Sequence, residues 1–408
     1  MAGTRRYRWV VLAVGTAAQA TTATYFLGLA AVAPALREHF GLSLAGVGTL
    51  IGAISAGLIA TLIAWGTAAD RFGERGVMAV GLVGAAGALG ATAFVDDPVV
   101  AGVLLVVAGA SGASVNAASG RAVLTWFPAG SRGMAMAVRQ TSVPLGAALA
   151  AVVLPPIAGS AGVPGVFAAL AVGCLVVAAA VAIWVREPPD RPARRVRPAA
   201  TVGTVLADRR LLRLSLAGLL LVVPQFLGSV FLVEILHGDA GMSLGVAGGL
   251  LALTQVLGAL GRLGNGAWSD RTASRLGPLR IVAAAVAVGF ALAAAVEPGP
   301  VPLLAAVLVP AAALAISWNG LVFTAAGELA PPGRAATAMA VSNTANFVAA
   351  AATPALGGLV AQVAGWPAML TMGAVAATGA LAALHRLAEP GRGVEPPPIT
   401  RSTPTIRR

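Results

Sequence analysis

The polar side chains of this sequence that are able to bind a solute stand inside long apolar runs. Arg139 lies about two turns into one such run, which contains no carboxylate. A guanidinium there attracts an anion, and its planar fork of donors suits a carboxylate held bidentately. Gln19, Thr22 and Tyr25 recur at i, i+3 and i+6 on one helical face. Asn116, Gln140, Gln225, Asn319, Asn343 and Asn346 add donors and acceptors, and Trp318 beside Asn319 offers an apolar or stacking wall. Polar groups are costly in hydrocarbon, so all of these are expected to face one another or a wet cavity and are the candidate substrate-binding residues. Interhelical hydrogen bonding is the alternative for the Gln19 face, and snorkelling is the alternative for Arg139. Snorkelling is the expected state of Arg121 and Arg262, which are nearer their helix ends.

This is the chemistry of recognition rather than of bond making. No Walker lysine loop or nucleophile with an aligned base occurs. Cys174 is the only cysteine and the three histidines lie near the ends of apolar runs, so neither a metal site nor a cofactor is expected, and the chain is not read as an enzyme. No Asp or Glu lies deep in any run. Glu234, at the outer end of the seventh, is the candidate for proton coupling, with uniport, exchange against a counter-anion and protonation of the substrate itself as alternatives.

The elements that must position these residues follow from composition. Of 408 residues 58% are apolar and 10% charged, against roughly one quarter charged in soluble proteins. Lipid is the solvent this implies. The net charge of +12 comes from 27 basic residues, all arginine, crowded between the apolar runs, which points to membrane orientation and away from nucleic acid. The runs are about 20–28 residues long, enough to cross a bilayer as helices and unlike the short alternation of a barrel. They fall near 9–36, 44–68, 77–95, 99–125, 132–158, 163–185, 211–236, 243–268, 278–296, 300–327, 334–361 and 366–387. The first exceeds a secretory h-region of about 7–15 residues and is read as a retained span.

Arginines concentrate in alternate loops near 70–75, 126–134, 186–213, 270–280 and 328–334 and in the tail, whereas Arg37 is the only arginine of the opposite loops, beside Glu38, Asp96, Asp97, Asp239 and Glu297. The positive-inside rule then places both termini in the cytoplasm of a bacterial inner membrane. The expected organisation is a bundle over 1–187, a Pro- and Arg-rich cytoplasmic linker over 188–209, a second bundle over 210–388 and a disordered tail over 389–408.

The two bundles repeat. Phe26-Leu27-Gly28 recurs as Phe226-Leu227-Gly228, Gly41 to Gly46 as Gly241 to Val246, and Gly66-x-x-x-Asp70-Arg71 as Gly266-x-x-x-Asp270-Arg271, each 200 residues on. The offset then becomes 203, pairing Asn116 with Asn319 and Ala135 to Val138 with Ala338 to Val341. Six spans duplicated in tandem keep their orientation, giving parallel halves with a pathway between them.

Over about residues 9 to 388 the sequence resembles the major facilitator superfamily. The stretch Gly66-Thr-Ala-Ala-Asp70-Arg71-Phe-Gly73-Glu-Arg75 is similar to that family's loop motif between spans two and three, with Glu74 in place of a basic residue, a departure expected to weaken a charge contact. The resemblance implies an all-α membrane fold of twelve transmembrane helices in two pseudo-symmetric six-helix bundles. It also implies a gating role for Gly66, Asp70, Arg71, Gly73 and Arg75, with Asp70 accepting from a helix N-terminus and holding the bundles together on the cytoplasmic side. Gly266, Asp270 and Arg271, with Arg275, are the weaker copy. Pro144 and its small neighbours remotely resemble the span-five motif of drug and metabolite antiporters, although Ala147-Ala148 replaces its glycine pair. The expected function is secondary transport of a small solute by alternating access, as a monomer, with a small organic anion preferred. Drug or metabolite efflux on the same fold is the alternative, and a channel a more distant one.

Overall fold

Apolar segments of this length have no water in the bilayer to satisfy their amides, and a helix closes those bonds locally. The computed structural model describes residues 2–42, 44–186, 201–236, 242–297 and 299–389, and among them there is no strand. α1 (Ala2–Gly28) passes through a 3-10 turn into α2 (Ala33–His39), the break falling where Pro34 enters the first turn of α2 without an N–H to donate. α3 (Leu44–Phe72), α4 (Glu74–Thr92), α5 (Pro98–Trp126), α6 (Ala129–Gln140) and α7 (Ser142–Trp184) complete the first half. The short α8 (Val202–Ala207) leads into α9 (Arg209–Glu234), α10 (Leu244–Arg271), α11 (Leu276–Val296), α12 (Val301–Ile316), α13 (Asn319–Leu329) and α14 (Ala335–His385).

Among the described residues ten apolar helical stretches are long enough to cross a bilayer. Two of these cross twice. α7 reverses at Gly162 (φ 66°) just before Pro164, and α14 at Gly365 (φ 81°) just before Pro367. These left-handed conformations favour glycine, and the two sites stand 203 residues apart, the offset of Asn116 and Asn319. The fold is therefore the expected all-α arrangement of twelve transmembrane helices.

Helix pairing repeats between the halves. α1 packs on α7 as α9 packs on α14, α3 on α5 as α10 on α12, and α4 on α5 and α7 as α11 on α12 and α14. The halves meet most extensively through α3 with α14 and α6 with α10, which are equivalent under the repeat, and also through α6 with α13 and α5 with α14. The outward faces carry large apolar side chains such as Val80, Val152, Val176, Val288 and Val363, all exposed where lipid tails would cover them. Helices approach closely through glycines, as where Gly57 meets the backbone of Val106 and Gly109 that of Ile54.

Two expectations change. The second span does not end near residue 68: α3 continues through Asp70 and Arg71, so the motif's carboxylate is fixed on a rigid last turn and not on a loop. Glu389, the first residue of the tail expected to be disordered, is held in place: its carboxylate accepts from Ser274 Oγ (2.5 Å) and from the amides of Arg275 (2.9 Å), Leu276 (3.2 Å) and Gly277 (3.0 Å) at the start of α11. Residues 390–408, most of the linker segment and Asp239 lie outside the described residues. Burial alone would raise the Glu389 carboxyl, but these donors outweigh it and hold it below the ordinary value. A depressed carboxylate pKa contributes stability that is present above the unfolded-state value and disappears as pH falls through the folded one. Glu389→Gln should lower the melting temperature of the detergent-solubilised protein at pH 7, by a loss of about 1 kcal/mol for a partly exposed site. The gap to the parent should close as pH falls below the ordinary glutamate value of 4.5.

Candidate functional site: a central cavity above two interbundle latches

The charged motif residues meet at one face of the molecule. Asp70, at the end of α3, accepts the amides of Ala336 (3.1 Å) and Thr337 (2.9 Å) and the Thr337 hydroxyl (2.7 Å). Those amides occupy the first turn of α14, where a helix has no carbonyl of its own to offer, and the helix dipole adds to the attraction. Asp270, at the end of α10, does the same to the other half, accepting from Gly133 (2.9 Å) and Met134 (2.8 Å) of α6. Gly133 and Met134 precede Ala336 and Thr337 by 203 residues, so each motif copy grips the equivalent point of the opposite half. Beneath the carboxylates the backbones touch. A Cβ on Gly66 would lie 2.9 Å from the Ala336 carbonyl, and one on Gly266 would lie 2.6 Å from that of Gly133.

Each carboxylate is also anchored within its own half, with the charges reversed. In the first half the base is on the helix: Arg121 of α5 sits between Asp70 (3.2 Å) and Glu74 (2.5 Å). In the second the base is in the loop: Arg275 binds Asp270 (2.7 Å), Glu328 of α13 (3.1 Å) and the Ala129 carbonyl across the interface (2.5 Å). Burial disfavours the Arg275 charge, but Glu328 and Asp270 outweigh it and hold its pKa above the usual range. Arg132 extends this cluster to Glu328 at 3.5 Å. Two expectations are overturned here. Arg121 does not snorkel but is buried and ion-paired. Glu74, read as weakening the motif, is buried as the partner that neutralises it. Gly73 (φ 87°) turns the chain between α3 and α4, while Arg71, Arg75 and Arg271 are exposed, Arg71 stacked over Phe72.

Above the latches a cavity with about 850 Å³ of empty space, part of it open to solvent, separates the halves. Gln19, Asn116, Arg139, Gln140, Gln225, Asn319, Asn343 and Asn346 all line it. Thr22 and Tyr25 instead line an adjoining cavity formed mostly by the first half and closed by Phe347 of α14, which Gln19 and Asn116 share. Trp318 lines neither; fully buried in the core of the second half, it provides no wall for a solute. Glu234 is exposed at the end of α9, away from the cavity.

Arg139 is buried, donating to Ser119 Oγ (2.9 Å), Gln140 Oε1 (3.0 Å) and the Asn116 carbonyl (2.8 Å). Arg262 is a second such cation, and reading it as snorkelling was wrong. It is buried, lines the cavity and donates to the carbonyls of Ile316 (2.9 Å) and Gln140 (2.7 Å) and to Asn319 Oδ1 (3.3 Å). Among the described residues neither guanidinium has a carboxylate at ion-pair distance. Gln225 Oε1 and both amide atoms of Asn346 are buried with no hydrogen-bond partner, so unmet donors and acceptors also front the cavity. Phe26, Phe226, Phe323, Met339 and Phe347 add an apolar lining to the same cavity. Arg262 carried the same signal as Arg139, a lone arginine in an acid-free run; the phenylalanine wall carried none.

The fold and site thus define a polytopic membrane protein with a polar chamber between duplicated halves. The sequence profile of the Major Facilitator Superfamily matches residues 12–354. An uncharacterised MFS-type transporter of Mycobacterium tuberculosis strain H37Rv is 35% identical over 363 residues, 88% of this chain and 81% of the relative. Structures of similar fold include the fucose:proton symporter of E. coli (16% identity, TM-score 0.74, covering 91% of this chain and 97% of that one). The human organic anion transporter (18%, 0.74, 92% and 99%) and a proton:xylose symporter (19%, 0.71, 94% and 96%) also share it. The chain belongs to the major facilitator superfamily and is a multi-pass membrane transporter.

Removing either latch carboxylate leaves its arginine paired to the remaining acid but strips two backbone amides of the other half of their acceptor, a loss of about 1–3 kcal/mol. Asp70→Ala should therefore raise the rate at which N-ethylmaleimide labels a cysteine placed at Ala340, buried against Gly66, in a Cys174→Ala background. Asp270→Ala should raise it less, because its contact is at the α6–α10 seam.

Proposed function

We propose that this transporter carries a small organic anion with an apolar body across the bacterial plasma membrane by alternating access, acting as a monomer. The observation that supports this most is the pair of buried guanidiniums, Arg139 and Arg262, bordering one cavity with only neutral acceptors around them. A cation taken from water without a counter-ion is unfavourable, and an anion entering the cavity supplies one. The phenylalanines that line the same cavity suit the rest of such a molecule. Asn116, Asn319 and Asn346, with Gln19 and Gln225, then orient it.

With the arginine-rich loops in the cytoplasm, the latched face is the cytoplasmic one and the cavity is accessible from outside. This reading fits the outer ends of α3 and α10, where a Cβ on Gly48, Gly52, Gly248 or Gly249 would meet nothing within 4 Å. Rocking the halves about the cavity breaks the carboxylate–amide contacts as units and exposes the site inward. Glu234, exposed and lining neither cavity, has no part in this cycle, so the driving force is an anion gradient, exchange or entry of the substrate with its own proton.

The test is a thermal-shift screen of purified protein against carboxylates and neutral lipophilic drugs, since a ligand present at 100 times its Kd adds about 2.7 kcal/mol of stability. Carboxylates should stabilise the parent and fail to stabilise Arg139→Gln. Stabilisation by neutral drugs alone, unchanged in Arg139→Gln, would contradict the anion reading and favour drug efflux.

A further inference from the structure

The two cavity arginines differ in where their hydrogen bonds end. Those of Arg139 stay in its own half, on Ser119, Met136, Gln140 and Asn116. Arg262 is anchored in the second half by Ile316 and Asn319, and its remaining nitrogen crosses to the Gln140 carbonyl of α6 at 2.7 Å. That carbonyl is available for a particular reason. In an unbroken helix it would accept from the amide four residues on, but that residue is Pro144, which has no N–H and displaces the carbonyl it faces. Proline thus leaves a strong acceptor unpaired in a buried place, and a cation from the other half takes it.

We propose that Pro144, the Gln140 carbonyl and Arg262 form a strap that holds the empty carrier closed at the α6–α10 seam. When the halves separate there, Arg262 loses an acceptor and the Gln140 carbonyl is left with none. Both are buried, so opening without a replacement is disfavoured. On the anion reading above, a carboxylate in the cavity replaces the acceptor that Arg262 loses, because it lies within the chamber that Arg262 borders and accepts more strongly than an amide carbonyl, while the freed Gln140 carbonyl turns to water in the opened seam. The loaded carrier then reorients more readily than the empty one, which is the property that makes a carrier an exchanger. The proline of span five, read above as a remote likeness to an antiporter motif, acquires in this chain a defined task through its missing N–H.

The experiment uses the full chain in nanodiscs without ligand. Spin labels are attached to Gly130→Cys and Thr272→Cys, exposed positions on α6 and just beyond α10, in the Cys174→Ala background. The parent should give a dominant short interlabel distance with a small longer component. Arg262→Gln should add a longer distance whose population exceeds the parent's about tenfold. Pro144→Ala, which restores an amide for Gln140 while leaving every polar side chain in place, should add a smaller amount of the same longer distance. Arg139→Gln, whose guanidinium bonds only within its half, should match the parent. The strap is refuted if Arg262→Gln and Pro144→Ala both retain the parent distribution, or if Arg139→Gln opens the seam as far as Arg262→Gln. Because no ligand is present, this outcome is independent of the thermal-shift screen, so failure of the strap and failure of the anion reading are told apart.

Discussion

A helix begins with amides that no carbonyl of its own can satisfy, and in this protein that deficit in α14 is met by a carboxylate from the other half of the molecule, Asp70. Asp270 reaches the point of α6 that matches it under the repeat, the amides of Gly133 and Met134. Such contacts are directional and charge-assisted, strong when made, and they part along one line when the halves separate. The glycines beneath them let the backbones come close enough for the bond lengths to be met. Everything on that face depends on this geometry: Arg121 and Glu74 fix one carboxylate, Arg275 and Glu328 the other, and Glu389 pins the turn that presents Arg275.

The duplication has preserved the geometry of the latch while exchanging the signs around it. The first half places a base on its fourth span and an acid in the loop; the second places an acid on its tenth span and a base in the loop. Either arrangement neutralises the buried carboxylate's surroundings, so either half can change its pair without disturbing the amide contacts. The cavity above has no such neutrality. Two guanidiniums are held there by carbonyls, amides and a hydroxyl, positions that stabilise a cation by dipoles alone and leave its charge directed toward whatever enters.

Much of this was legible in the residues. The tandem repeat predicted parallel halves, and the two reversals at Gly162 and Gly365 obey its offset. The lone arginine in an acid-free run and the paired asparagines were visible as candidates, and the structure gathers them at one cavity. What escaped was the identity of partners. The residues that join the halves lie far apart in sequence, such as Gln140 and Arg262 or Asp70 and Thr337, and helical periodicity carries no information about which faces meet. Arg121 and Arg262 looked like snorkelling residues because depth along a helix was apparent and the neighbouring helices were not. Trp318 sits where α12 gives way to α13, and that break turns its ring into the core, away from the side chain of its neighbour Asn319.

The central claim is that the two halves meet backbone to backbone at the latched face, and a disulfide tests it most directly. In a Cys174→Ala background with a protease site inserted in the linker, cysteines replace Ala137 and Gly266, whose Cβ atoms would be in contact. After mild oxidation and cleavage, the account predicts that the two halves remain joined on a non-reducing gel and separate on reduction. Halves that run apart without reductant, although both cysteines are intact and the protein is folded, would contradict it.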